Sequence, residues 1–205
     1  MRISFIGMSN IGKSFWSNRL AAQTGCPHIE CDALIAEKLA PELQGCKSVR
    51  DLAAWMGQPF EPRHKETSAR YLTHEREALQ EILNGSASMD SIIDTTGSVI
   101  YLDAETLDAL RNRSLVVYLE ASHAHVDALF RSYAAHPKPL IWGNAYAPHE
   151  GETHDAALHR CFPGLLNERA ARYKQLAHIT LPYEAHKNHR ADMAALIEQA
   201  RQTIE

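Results

Sequence analysis

The chain has 205 residues, 45% of them hydrophobic and 22% charged, which is the size and make-up of one globular domain and excludes a disordered tail or a fibre. Its 21 basic and 25 acidic residues leave a formal charge of −4, so no broad surface for nucleic acid or anionic lipid is expected, and an anionic ligand needs a local site. No apolar run approaches the roughly 20 residues that span a bilayer, and the N-terminus runs straight into a glycine loop without a cleavage pattern, so the expectation is a cytoplasmic protein with no membrane partner.

Residues 2–6 are short, apolar and bounded by Gly7, which suits a buried first strand, and residues 13–23 have helical composition before Gly25 stops them. A second strand is expected over 27–31, with Asp32 at its carboxyl end, where ligands gather in open parallel sheets. A mostly helical stretch over 33–83 follows, broken around 56–62 by Gly57, Pro59 and Pro62. Strand three is the apolar Ser91-Ile92-Ile93 ending in Asp94. The β-branched and aromatic run at 115–119 is the plainest buried strand, and 177–181 supplies a weaker fifth. Helical segments at about 104–111, 123–133 and 189–204 separate or close these strands, an alternation that reads as α/β. Residues 136–164 hold four prolines, three glycines and several histidines, and read as a long loop near a site, a lid. The four cysteines, Cys26, Cys31, Cys46 and Cys161, lack metal-knuckle spacing and are expected to be reduced.

Gly7-Met8-Ser9-Asn10-Ile11-Gly12-Lys13-Ser14 fits G-x-x-x-x-G-K-[ST] in full, after an expected strand and before an expected helix. Backbone amides of such a loop wrap phosphates, and the dipole of the following helix favours their charge. Lys13 would reach the β- and γ-phosphates of ATP, Ser14 would ligate Mg²⁺, and Phe15 would complete the nucleotide contacts. No N-K-x-D segment marks a GTPase, and the compact chain favours a metabolite kinase over a motor or transporter domain.

With these residues on the page, the sequence resembles the shikimate kinases among the small P-loop kinases. Besides the loop, Glu30-Cys31-Asp32 is similar to that family's D-x-D, and Thr95-Thr96-Gly97 falls where it has a triple-glycine substrate loop. Arg131 with Lys138-Pro139-Leu140 resembles its lid arginine and R-P-L-L, and Arg169-Ala170-Ala171-Arg172-Tyr173 its R-x-x-x-Y. The resemblance implies a P-loop NTPase-type three-layer fold, a single domain over 1–205 with a five-stranded parallel sheet in order 2-3-1-4-5. It also implies a substrate-binding helical segment at about 33–83 and a lid at about 131–163. The implied acceptor is a small anionic metabolite with an alcohol, bound by Asp32, Thr95, Thr96, Gly97, Lys138 and Arg169, with Arg169 on its carboxylate. Departures fall on the substrate side. Two threonines replace glycines, and Tyr71-Leu72-Thr73-His74-Glu75 stands for F-R-x-x-E, so one carboxylate-binding arginine is lost unless Arg63 or Arg70 replaces it.

Each candidate has a plainer reading. Asp32 either orients the attacking alcohol or caps the next helix. Glu30 and Asp94 are candidate magnesium-side acids, against a surface role for Glu30 and an Asx turn for Asp94. Arg131 either neutralises the transferred phosphoryl group and contacts ATP or serves the end of its own helix. Arg169 lies in a charged cluster of the kind that usually forms a solvated helix face. The twelve histidines show no H-E-x-x-H or comparable spacing and read as loop and surface residues. Catalysis is thus assigned to Lys13, Asp32 and Arg131 in a monomeric kinase. A gluconate-type or nucleotide-type kinase and a non-catalytic nucleotide-binding module are the rival readings.

Overall fold

Strand β1 (Arg2–Ile6), β3 (Ser91–Asp94) and β4 (Leu115–Leu119) carry consecutive buried residues, not alternating ones, which requires apolar cover on both faces of the sheet. The computed structural model, which describes residues 2–41, 43, 49–85, 90–122, 124, 126–188 and 191–202, supplies that cover from helices. The sheet is parallel, in the order β2-β3-β1-β4-β5, with β2 at His28–Glu30 and β5 at Ile179–Leu181. This is the expected strand order. Register brings the carboxyl ends together: Asp94 pairs with Phe5 on one side and Glu30 on the other, and Ile6 pairs with Tyr118. Side chains leaving those ends therefore meet at one edge.

Helix α1 (Lys13–Thr24) starts at Gly12 and stops at Gly25, both at positive φ (106° and 70°), a conformation that suits glycine. The expected helical stretch after β2 resolves into α2 (Cys31–Leu39), α3 (Val49–Met56) and α4 (His64–Asn84), with the break where glycine and proline cluster. These helices close a small second core of Ile35, Leu39, Leu52, Met56, Tyr71 and Ala78, to which Ile141 contributes from the far side of the chain. Helix α5 (Ala104–Arg113) is capped by Asp103, whose carboxylate accepts from Thr106 N at 2.9 Å. Helix α6 spans Val126–Ala135, and α8 (Tyr183–His186) and α9 (Met193–Gln202) close the chain after β5. Cys46 lies outside the described residues, and Cys26, Cys31 and Cys161 are free thiols. No helix among the described residues is long and apolar enough to cross a membrane.

The expected long loop at 136–164 gives way to helix from His154 onward. Helix α7 (His154–Leu176) begins at the Thr153 cap and runs through Pro163 and Gly164. An interior proline costs a helix about 3 kcal/mol, but Ala157, Leu158, Cys161, Phe162, Leu165 and Leu166 bury one continuous face of α7 and outweigh it. Irregular chain is confined to 136–153, and even there Leu140, Ile141 and Trp142 are buried.

Candidate active site

The G-x-x-x-x-G-K-S loop occupies the turn between β1 and α1. Gly7 has φ +142°, and a Cβ there would lie 2.8 Å from Leu119 O, so the close approach to β4 excludes any side chain. Asn10 is also at positive φ (65°), and Ile11 N donates to Met8 O at 3.3 Å, which curls the loop. Lys13 is buried, and its ammonium donates to Gly7 O at 3.0 Å and Met8 O at 3.2 Å. Burial lowers its pKa, as does the charge of Lys138, while Asp94 and Asp32 oppose the shift. A cavity of about 360 Å³ opens here, between Asn10, Lys13, Ser14 and Phe15 on one side and His136 and Lys138 on the other.

The structure thus brings Lys138 to the phosphate loop. Arg131 is exposed on α6 and is not among the residues lining this cavity; Ser132, the next residue, is. His136, read as a loop histidine, is on the rim. Phe15 is 40% exposed on the same rim, its ring set edge-on to Trp16.

Three carboxylates cluster at the sheet edge. Asp94 is 4% exposed, and its Oδ1 has no hydrogen-bond partner among the described residues, which does not fit an Asx turn. Glu30, half-buried on the neighbouring strand, has its pKa raised by burial and then by the charges of Asp94 and Asp32. Asp32 is not the helix cap: α2 begins one residue earlier, at Cys31, and no side chain caps it. Its Oδ1 instead accepts from the Tyr71 hydroxyl at 2.8 Å. Burial raises the Asp32 pKa, opposed by that hydrogen bond and by Lys13 and Lys138.

The hydroxyls of the two threonines have partners within the protein. Thr95 Oγ1 donates to Phe5 O at 2.7 Å and so ties the loop to β1. Thr96 Oγ1 donates to Glu75 and accepts from Ser98 N at 3.0 Å, while Ser98 Oγ donates to the other Glu75 oxygen at 2.6 Å. Both hydroxyls expected to face an acceptor are therefore spent inside the protein. Gly97 is required by packing, because a Cβ there would lie 2.9 Å from Ser9 Oγ and 3.2 Å from Ser9 N.

Arg169 is fully buried, which excludes the solvated-face reading; its neighbours Glu168 and Arg172 form the surface pair. Its guanidinium donates to Gly97 O at 3.0 Å and Ile141 O at 2.6 Å and lies 5.1 Å from the Tyr101 ring centre. Nε has no partner among the described residues. Of the two candidates for a second clamp, Arg63 is bound to Glu61 and Ala54 O, and the Arg70 guanidinium lies 5.9 Å from the Trp55 ring centre.

A parallel five-stranded sheet with this loop after its first strand defines a P-loop kinase fold. The shikimate kinase family model matches residues 56–201, more than half of the chain. The chain belongs to the shikimate kinase family. A shikimate kinase of Xanthomonas campestris pv. campestris (strain 8004) is 29% identical over 177 residues, 86% of this chain and 79% of the relative. One from Symbiobacterium thermophilum is 26% identical over 144 residues, 70% of this chain and 71% of the relative. The fold matches a shikimate kinase from Acinetobacter baumannii in complex with shikimate, with a TM-score of 0.62, 21% identity and coverage of 99% of this chain and 90% of that one. It also matches a shikimate kinase from Bacteroides thetaiotaomicron (TM-score 0.60, 20% identity, 99% and 96% covered). The chain is accordingly an ATP-dependent kinase with an alcohol group as acceptor.

The sequence placed Tyr71 only as the aromatic of the F-R-x-x-E counterpart, without a role for its hydroxyl; the bond to Asp32 shows only in three dimensions. Removing that hydroxyl in Tyr71→Phe is expected to lower kcat about tenfold with little change in acceptor KM, since a hydrogen bond to a charged group is worth about 1.5–3 kcal/mol. Steady-state kinetics with the best acceptor check this.

Glu75 is 2% exposed, and burial raises its pKa from 4.5 to about 7 despite the two hydroxyl donors. The folded protein therefore holds this proton more tightly than the unfolded chain, and the associated stability is lost as pH rises from 4.5 through about 7. Urea denaturation of Glu75→Gln should lack this loss across that interval, whereas the parent chain should show it.

Proposed function

We propose that the chain transfers the γ-phosphoryl group of MgATP to an alcohol of a small hydroxy acid, shikimate or a relative of it. The observation that carries the acceptor class is Arg169: a guanidinium with no exposure, no carboxylate within hydrogen-bond reach among the described residues, where Glu75 is felt only through space, and an unpartnered Nε. A buried cation without a counter-ion is costly, and a ligand carboxylate would remove that cost with charge-assisted hydrogen bonds.

The residues at the phosphate loop suit MgATP. Gly7 to Ser14 offer backbone amides to phosphate oxygens, and Lys13 supplies a charge already desolvated. Mg²⁺ prefers hard oxygen ligands, which the Ser14 hydroxyl and the unpartnered Asp94 oxygen provide, with Glu30 one strand away. No group of three or more His, Cys, Asp or Glu among the described residues is arranged to hold a metal, so phosphate oxygens and water would complete its shell. When bound, the ion neutralises charge on the phosphates.

Asp32 accepts the alcohol proton or orients the alcohol oxygen, with Tyr71 holding one carboxylate oxygen so that the other is free for the acceptor. Lys138 draws charge from the transferred group, and the chain around 131–138 acts as the lid over the phosphate loop, excluding water. The more buried Ile141 and Trp142 form its fixed end. Arg131 is the second lid cation and reaches the nucleotide only if α6 moves. The chain acts as a monomer in the cytoplasm, with the small acceptor as its partner.

ADP release with MgATP and a panel of hydroxy acids and polyols tests the reading. Lys13→Ala should abolish most turnover while thermal stability persists; near-parent turnover in that variant would contradict it. Because Leu72 leaves a single clamping cation, shikimate is expected to give kcat/KM below roughly 10⁴ M⁻¹s⁻¹, the lower end of ordinary enzymes. Turnover of polyols alone would favour the gluconate-type reading instead.

A further inference from the structure

A second cavity, of about 660 Å³, lies between the first half of α4 and residues 141–146, away from the phosphate loop. That volume is within the range of small-molecule sites. Ala69, Leu72 and Ile141 form its floor, and Phe60 and Tyr146 stand on its wall. Two large hydrophobic side chains among the described residues are exposed, Phe15 and Phe60. Phe15 borders the phosphate-loop cavity and Phe60 borders this one.

Phe60 is held in place. It stacks on His154 with ring centres 4.0 Å apart and planes within 10°, and His154 Nδ1 is 3.0 Å from the Tyr146 hydroxyl. The wall is thus flat and aromatic before a ligand arrives, which reduces the ordering cost of binding. The polar groups point to one sign of charge. Glu61 is spent on Gln58 N (2.8 Å) and Arg63 Nε (3.0 Å). His64 is kept neutral by burial, with Nε2 3.3 Å from Leu140 O. Lys65 pairs with no carboxylate among the described residues, and the Asn144 amide lies on the same lining.

We infer that this cavity binds a ligand made of a flat apolar ring and a carboxylate, the ring against Phe60, Tyr146 and Leu72 and the carboxylate at Lys65 and Asn144. The cavity adjoins the acceptor side through two residues. Ile141 floors the cavity while its carbonyl accepts from Arg169, and Leu72 follows Tyr71, which holds Asp32. The same chemistry would be presented by a separate aromatic acid, or by an acceptor that carries an aromatic ring and a second carboxylate besides the one at Arg169.

The probe is 3-phenylpropionate, which has the ring and the carboxylate but no alcohol, titrated into the full chain without ATP and followed by the methyl resonances of Leu72 and Ile141. Saturable shifts with Kd of about 1 mM or tighter are expected, absent with acetate at the same concentration. Ala69 is exposed, so Ala69→Trp fills the floor without entering the core and should abolish the shifts. Lys65→Ala should weaken binding about fivefold, as for an exposed charge contact. Shifts no larger than those with acetate, or shifts that persist in Ala69→Trp, would overturn the inference. A second arm separates the sources: ADP release with 2-benzylmalate, which has the ring, an alcohol and two carboxylates, above that with malate makes the cavity an extension of the acceptor site, and binding of 3-phenylpropionate without such release makes it the site of a separate acid. The binding readout needs no turnover, so its failure leaves the kinase reading standing.

Discussion

Burying a guanidinium that no carboxylate pairs with directly is tolerated only if other groups replace the water it loses, and Arg169 imposes that demand on the whole site. Its two terminal nitrogens take the carbonyls of Gly97 and Ile141, and Met8 Sδ lies 3.8 Å from one of them. Tyr173, one turn along α7, donates to the same Gly97 carbonyl. One side chain thus joins the phosphate loop, the loop after β3, the 141 segment and α7. Gly97 must be a glycine for this arrangement, because Ser9 of the phosphate loop presses against its Cα. The coupling gives the nucleotide side and the acceptor side a shared scaffold, and Arg169 Nε is the donor left over.

Around that scaffold the acids divide by environment. Parallel register places Glu30 and Asp94 side by side at the strand ends, with Asp94 in the field of Lys13, while Asp32 steps onto the first turn of α2 and meets Tyr71. Glu75 lies deeper, bound to Thr96 and Ser98, and braces the loop that carries Gly97. Phosphoryl transfer asks mainly for positioning and charge neutralisation, so a set of fixed carbonyls, hydroxyls and desolvated charges is the suitable provision.

The strand order, the phosphate loop and the clustering of Lys13, Glu30, Asp32 and Asp94 were legible because each rests on local signals: short apolar runs, a glycine pattern, an acid at a strand end. Helix α7 was half hidden, since Pro163 and Gly164 are local breakers and the buried face that overrides them is a tertiary fact. The partners of the threonines were hidden for a related reason. A hydroxyl next to a substrate loop looks available, yet Thr95 and Thr96 turn to Phe5 and Glu75, partners 90 and 21 residues away in sequence. Arg169 was legible only through family resemblance, because a buried arginine and a solvated one look alike in a run of charges.

The account turns on whether Arg169 meets the carboxylate of the acceptor. The Nε–Hε resonance of Arg169, assigned by its loss in Arg169→Lys, reports this directly when the hydroxy acid of highest turnover is added with MgADP. A downfield move of that resonance, with saturation by the acid and none by the matching neutral polyol, is the predicted result. An unmoved Nε–Hε signal at acceptor concentrations that support full turnover would contradict the account.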